Sequence, residues 1–277
     1  MRMPFPVSVL LCALVLLALP CQGYLLLRMS SGPQKIAIFG ASGKTGQEVA
    51  YRALDQGCKV AAFVRDPAKL CIPQGSGGDL AGQPLKNDGL AVFQGDVTNL
   101  NDVKKVFEKG DVDGVVIALG GKTKDVGKSM LTAGTKNVIE AMREKGVKRV
   151  AVVSSIGAGD SEKQAPLFFK VLMYTVMKDI FADKNNQERL FINGPGSDLE
   201  WCLVRPGGLG VGPATGVINV IDGEAGSIMR ADVADFCLGA VLEKDFEYVR
   251  KAPCISSVGG TGWVKQKGKN FDEVTKA

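Results

Sequence analysis

Between Lys35 and Gly46 the chain reads Lys-Ile-Ala-Ile-Phe-Gly-Ala-Ser-Gly-Lys-Thr-Gly. Lys35 to Phe39 is a short apolar run of the kind a buried parallel strand requires. It breaks at Gly40, and glycines recur at 43 and 46 before a helical pattern begins with Val49, Ala50, Ala53 and Leu54 on one face. Strand, glycine turn and helix in this order constrain the fold more than any other stretch. Gly40 allows a sharp turn, Gly43 lets backbone approach a pyrophosphate, and Gly46 lets the helix pack closely on the strand. The N–H groups of Lys44, Thr45 and Gly46, with Ser42 beside them, then face an anion at the helix start.

Two other readings of the stretch exist. Gly43-Lys44-Thr45 resembles the end of a P-loop, but the first glycine of that motif would fall at Ile38, inside the strand. A purely structural glycine turn is the plainer alternative. The spacing, G-x-x-G-x-x-G, resembles that of the short-chain dehydrogenase/reductase superfamily. Within it the pattern is closest to the atypical NmrA-like and biliverdin-reductase-B/flavin-reductase-like members. That resemblance implies an α/β fold of Rossmann type: a doubly wound parallel sheet of six or seven strands over residues 35–258, with a small C-terminal substrate cap.

The 277 residues, 45% of them hydrophobic, suit one large α/β domain. The net charge is +5 with scattered basic residues, so no nucleic-acid partner is expected. The chain has no histidine, which excludes Ser-His-Asp hydrolysis, Cys-His proteolysis and histidine-ligated zinc. No metal site is expected, and a proton donor must be Tyr, Lys, Asp, Glu, Cys or solvent. Seven cysteines, at 12, 21, 58, 71, 202, 237 and 254, form no C-x-x-C pair. This usage fits a reducing compartment, with Cys202 and Cys237 as small core residues.

Residues 1–23 read as a cleavable signal: Arg2, then an apolar run from Val7 to Leu19 ended by Pro20. Residues 24–34 form a candidate transit segment or linker. They carry Tyr24, Arg28, Ser30 and Ser31, and no acidic residue precedes Glu48. An export signal conflicts with a cofactor-dependent fold rich in unpaired thiols. The bipartite leader of a complex plastid, which this arrangement resembles, removes the conflict; an ordinary secretory signal is the alternative. The mature form is expected to need no membrane, and oligomeric state is not legible here. Residues 259–277 are a polar tail.

Lys59 to Val64 is the second strand, followed by Arg65-Asp66-Pro67. NAD-specific domains place an acidic residue at this strand end. Here Arg65 comes first and can clamp a 2′-phosphate, so NADP(H) is the expected cofactor. Residues 71–89, rich in Gly and Pro, read as a surface insertion. Leu90 to Val97 is the third strand, and Asn99 or Asn101 caps the next helix. By family resemblance, Asp96 and Val97 bracket the adenine, and Ala118, Leu119 and Gly120, after the fourth strand, pass beneath the ribose and diphosphate. A helix over 129–145 follows.

Ser154, after the fifth strand Arg149 to Val153, resembles the superfamily's catalytic serine; a turn role is the alternative. Tyr174-Thr-Val-Met-Lys178 matches Y-x-x-x-K, which on one helix would put both side chains on one face. Counting back from Val204-Arg-Pro-Gly207 puts the family's lysine nearer Lys184, with Ile180 where the tyrosine would stand. Tyr174 is therefore either a proton donor or a packing residue, and Lys178 and Lys184 compete for the ribose. Val204-Arg-Pro-Gly207 resembles the family's sixth strand exit, where Pro206 and Gly207 pass the nicotinamide. The resemblance implies a small-molecule substrate. Two functions remain open: an NADPH-dependent reductase of a small planar or conjugated acceptor, and a non-catalytic NADP(H)-binding regulator.

Overall fold

The computed structural model describes residues 34–121 and 127–257. The leader over 1–23, all but the last residue of the 24–34 segment, and the tail over 259–277 lie outside the described residues. The chain opens with β1 (Lys35–Phe39), α1 (Lys44–Asp55) and β2 (Lys59–Val64). Next come β3 (Leu90–Gln94), α2 (Leu100–Glu108) and β4 (Gly114–Ile117), then α3 (Met130–Glu144) and β5 (Arg149–Val153). Two helices follow, α4 (Leu167–Tyr174) and α5 (Lys178–Ile192), and then β6 (Glu200–Pro206) and β7 (Gly208–Gly210). The chain continues through β8 (Asn219–Val220), β9 (Ser227–Met229), α6 (Arg230–Leu242) and β10 (Cys254–Ser256).

The main sheet runs β3-β2-β1-β4-β5-β6-β10-β8. All neighbours pair in parallel except β10 with β8. Eight strands stand where six or seven were expected. The extra one is the two-residue antiparallel β8, too short to leave a periodic signature. From β1 the chain winds first toward β2 and β3, then returns to lay β4 on the other side, with Phe39 opposite Phe63 and Ile117. That reversal opens a crevice at the carboxyl ends of β1 and β4, where such sheets bind ligands.

Alternation along β1 divides its side chains between two cores. Ile36 and Ile38 face α1 and α6, whereas Ala37 and Phe39 face α2, α3 and α5. All four are fully buried, and each large one contributes about 1.5–3 kcal/mol over its exposed state. Asn99 caps α2 by accepting the Asn101 N–H, and Val49, Ala50, Ala53 and Leu54 are the buried stripe of α1, both as the sequence indicates. Cys202 and Cys237 are buried core residues. A third, smaller core lies under α4, built from Ile156, Met173, Phe181 and Ile221.

Three local details bear on these expectations. β3 stops at Gln94, and Gly95 to Val97 turn away toward the crevice, although the Gly95 N–H still reaches the Val64 carbonyl. The 71–89 insertion is tied down. Cys71 bridges Pro84, and the Gly75 N–H donates to the buried Glu48 carboxylate of α1 at 2.9 Å. Tyr174 and Lys178 do not share a helix: α4 ends at Tyr174 and α5 begins at Lys178. The break falls at the β-branched pair Thr175-Val176. Thr175 leaves the helical region at φ −111°, ψ −91°, and its hydroxyl bonds back to the Val171 carbonyl.

Candidate cofactor cleft

At the end of β1, Gly40 adopts φ +86°, and a Cβ there would stand 2.5 Å from the Ala118 carbonyl oxygen. Only glycine lets the exits of β1 and β4 approach this closely. A Cβ at Gly46 would meet the Gly40 carbonyl oxygen at 2.2 Å, so this glycine serves the packing of α1 on the turn. Gly43 is different. A Cβ there would press only on the Gly40 carbonyl oxygen at 3.2 Å, and the residue is exposed. What comes into the cleft, more than internal packing, accounts for a glycine here.

Gly43 is the N-cap of α1, and no side chain caps the helix. The N–H groups of its first turn therefore await an acceptor, and no acidic residue occupies that turn. Lys44, exposed, and Thr45, half-buried, stand on it. An anionic group satisfies the donors and the helix dipole together.

A cleft of about 450 Å³ extends from this turn. Gly40, Ser42 and Gly43 line it, as do Ala118, Leu119 and Gly120 after β4 and Arg65, Asp96 and Val97 after β2 and β3. Those nine sequence candidates converge. Lys44, Thr45, Gly46, Ser154, Pro206 and Gly207 do not line this cavity. The volume and the mixed lining suit an adenosine diphosphate.

Asp66, the first acidic residue after β2, is used locally. Its carboxylate accepts the Ala68 N–H at 3.0 Å and lies 3.5 Å from the Lys69 ammonium. Arg65 and Lys69 both border the cleft, so this rim is basic. Asp96, exposed, is likewise used locally, accepting from the Thr98 N–H and hydroxyl.

Sequence reasoning missed Lys69, Thr98, Lys128 and the start of α3, where Ser129, Met130 and Ala133 line the cleft. The available signal was topological: a helix following β4 must begin at the same sheet edge. Asp183 of α5 holds that start in place, accepting the Leu131 N–H at 2.8 Å and the Thr132 N–H at 3.0 Å.

Beyond the cleft, Ser154 follows β5 and is buried; its N–H reaches the Val204 carbonyl at 2.8 Å. Its hydroxyl donates to Glu188 of α5, which is paired with Arg205 of β6 through two guanidinium N–H bonds. The third corner is Asp160, 2.6 Å from Arg205. The Arg205 hydrogen bond holds the Asp160 carboxyl below its usual range, and Glu188 and Asp160 hold the guanidinium charged despite burial. The Pro206 carbonyl accepts the Ile156 N–H, and a Cβ at Gly207 would lie 2.2 Å from the Gly226 carbonyl oxygen. The network locks the strand exits of this half together.

Tyr174 is 59% exposed, and its hydrogen bond with Glu162 pushes the phenol pKa up. It is remote in its bonding from Ser154 and Glu188. Lys178 is exposed at the first position of α5. Lys184 is partly buried, and desolvation lowers its pKa to about 8, against the opposing pull of Glu188 and Asp183. Among the described residues no group of three or more Cys, Asp or Glu is placed to hold a metal, and no helix is long and apolar enough to cross a membrane.

The sequence profile described as NAD(P)H-binding matches residues 40–244, which span β1's exit through α6. The chain belongs to the NAD(P)H-binding family. An uncharacterized chloroplastic protein of Arabidopsis thaliana is 29% identical over 231 residues, covering 78% of this chain and 74% of its own length. The reductase pytE of Aspergillus terreus is 25% identical over 211 residues, covering 64% and 76%. Among solved structures, the anaerobillin reductase ChuY of Escherichia coli O157:H7 superposes with a TM-score of 0.60 at 24% identity, over 80% of this chain and 97% of that one. A short-chain dehydrogenase/reductase of Veillonella parvula in complex with NADP gives 0.64 at 14% identity, over 83% and 97%. The Rossmann-type fold expected from the glycine turn is the one observed, and the family shown is the NAD(P)H-binding one.

Proposed function

We propose that the protein is an NADPH-dependent reductase that passes hydride to a small planar or conjugated acceptor such as a quinone, flavin, tetrapyrrole or enone. The cofactor supplies the hydride; the chain binds, orients and excludes water. The α1 turn would hold the diphosphate, Ala118 to Gly120 the ribose, and Asp96 and Val97 the adenine. The observation that carries the cofactor choice is the basic rim. Arg65 and Lys69 border the cleft, while Asp66, the first carboxylate after β2, accepts the Ala68 N–H. A 2′-phosphate gains charge-assisted bonds at that rim. Similarity to the reductase pytE and to the anaerobillin reductase ChuY supports a reductase.

Calorimetric titration with NADPH and NADH tests this. Arg65→Ala should weaken NADPH binding by about 1.5–3 kcal/mol and leave NADH unchanged. Equal affinities in the native protein would sink the assignment. A second reading, an NADP(H)-binding regulator without turnover, is favoured by one observation, the separation of Tyr174 from the rest of the site. NADPH bound but never oxidised across a panel of quinones, flavins and enones would select it. A plastid destination is supported by the leader's composition and by the chloroplastic Arabidopsis relative. Imaging of a fluorescent fusion separates it from the secretory route.

A further inference from the structure

The helix α4 reads Leu-Phe-Phe-Lys-Val-Leu-Met-Tyr, with one charged residue in eight. A helix apolar all round is normally buried all round. α4 is covered on one side only. There Met173 is buried in the third core, and Phe169 packs edge-on against Phe181 with ring centroids 5.7 Å apart. On the other side Leu167 is 80% exposed, Phe168 63% and Val171 55%, and Val176 in the following break is 76% exposed. At spacings of one, three and four residues the three helical side chains form a single outward stripe, which Tyr174 extends. Lone exposed apolar residues are ordinary on a protein surface; a contiguous stripe of this size marks a place where something docks.

The charges around the stripe indicate what docks. Of the acidic side chains beside it, Asp160 pairs with Arg205 and Asp179 with Lys128, which leaves Glu162, bonded to the Tyr174 hydroxyl. Against that one carboxylate stand Lys163, Lys170 and Lys178, before, within and after α4. Among the described residues none of the three has an ion-pair partner. An apolar stripe rimmed by unpaired ammonium groups complements an anionic lipid surface. Leucine and phenylalanine enter the boundary between headgroups and acyl chains, and lysine stems let their heads reach the phosphates. The same charges oppose a second copy of the chain. Two-fold pairing of α4 on itself would set Lys170, near the helix midpoint, against its own copy.

We propose that α4 is a membrane-docking helix that lies along the surface of an anionic bilayer, with Leu167, Phe168, Val171 and Val176 below the headgroups and Lys163, Lys170 and Lys178 on the lipid phosphates. Eight residues make a helix about 12 Å long, so the chain would rest on the membrane without crossing it. The Tyr174 ring, apolar in body and polar at its tip, suits the interface at the end of the stripe. This docking revises the expectation that the mature chain needs no membrane.

The test uses the full chain and vesicles of phosphatidylcholine, with and without phosphatidylglycerol, carrying lipid brominated along its acyl chains. To separate α4 from the apolar run over Val7 to Leu19, the helix itself is read: Val171→Trp adds an indole there, and wild type supplies the background of Trp201 and Trp263. Bromolipid should quench the added indole on phosphatidylglycerol vesicles. Leu167→Glu with Phe168→Glu in the same chain should abolish that quenching and leave the circular dichroism spectrum unchanged. Lys163→Gln with Lys170→Gln, or salt raised from ~0.1 M to ~1 M, should reduce it severalfold. An indole that stays unquenched, whether or not the chain binds the vesicles, overturns the proposal. Equal quenching on pure phosphatidylcholine overturns the anionic surface and the part given to the lysines. A concentration-dependent dimer in sedimentation that Phe168→Glu disperses, with the indole silent to lipid, gives the stripe to a second copy and overturns the membrane.

Discussion

Gly43 carries no side chain, and little inside the protein asks for that. The 3.2 Å contact a Cβ would make is one a small backbone shift relieves. Gly43→Val should therefore yield a folded protein, with a near-native circular dichroism spectrum, that no longer binds NADPH. Its branched methyls would stand where the phosphates arrive. Retained binding would reduce the glycine turn to a structural device. Gly46 makes the contrast: any side chain there collides with the Gly40 carbonyl, and the expected result is an unstable fold. Lys184 shows the opposite trade. Its pKa falls from 10.5 to about 8 because burial penalises its charge, so the unfolded chain holds that proton more tightly. Native stability should rise as pH moves from about 8 to 10.5. Lys184→Met should raise the Tm of the apo protein below pH 8, with the advantage fading across that window.

The joint between α4 and α5 decides what Tyr174 can do. With the helix broken at Thr175 and the phenol turned to Glu162, Tyr174→Phe should leave both kcat and NADPH affinity near wild type. A large turnover loss would bring the tyrosine back into the mechanism. A spacing of four residues implies one shared face only if a single helix spans it, and nothing local forbade that. The cost of Thr175 and Val176 in a helix is small, and the packing of Met173 and Phe181 in the cap core decided the matter. Gly40, Gly43 and Arg65 were legible because each falls at a fixed spacing from the end of a strand. Lys69, Ser129 and Met130 were not, because they meet only when two connections end at one sheet edge. The union of Ser154, Glu188 and Arg205 spans three elements and leaves no spacing to read. Arg205→Met should cost about 3–5 kcal/mol in urea denaturation, because it strands a buried carboxylate. Arg205→Met with Glu188→Leu should recover much of that loss. A double variant as unstable as the single one would mean that the pair, not its imbalance, holds the strand exits together.

Across the whole molecule, two layers of helices meet a sheet whose central strands are buried on both faces, and the cleft sits where the winding reverses. Arg52 on α1 grips Asp235 on α6 with two guanidinium bonds, so the cofactor helix is tied to the far end of the sequence. Yet the first turn of α1 has no cap of its own. The chain leaves that helix end open to an anion from outside, so a bound nucleotide would stabilise the folded state further. A ligand held at a hundred times its dissociation constant adds about 2.7 kcal/mol to the native state. Limited proteolysis of the full chain should thus slow markedly on adding NADPH. In a cell, the supply of reduced nucleotide would then govern the protein's lifetime as well as its turnover, and a starved compartment would clear the chain before it could accumulate.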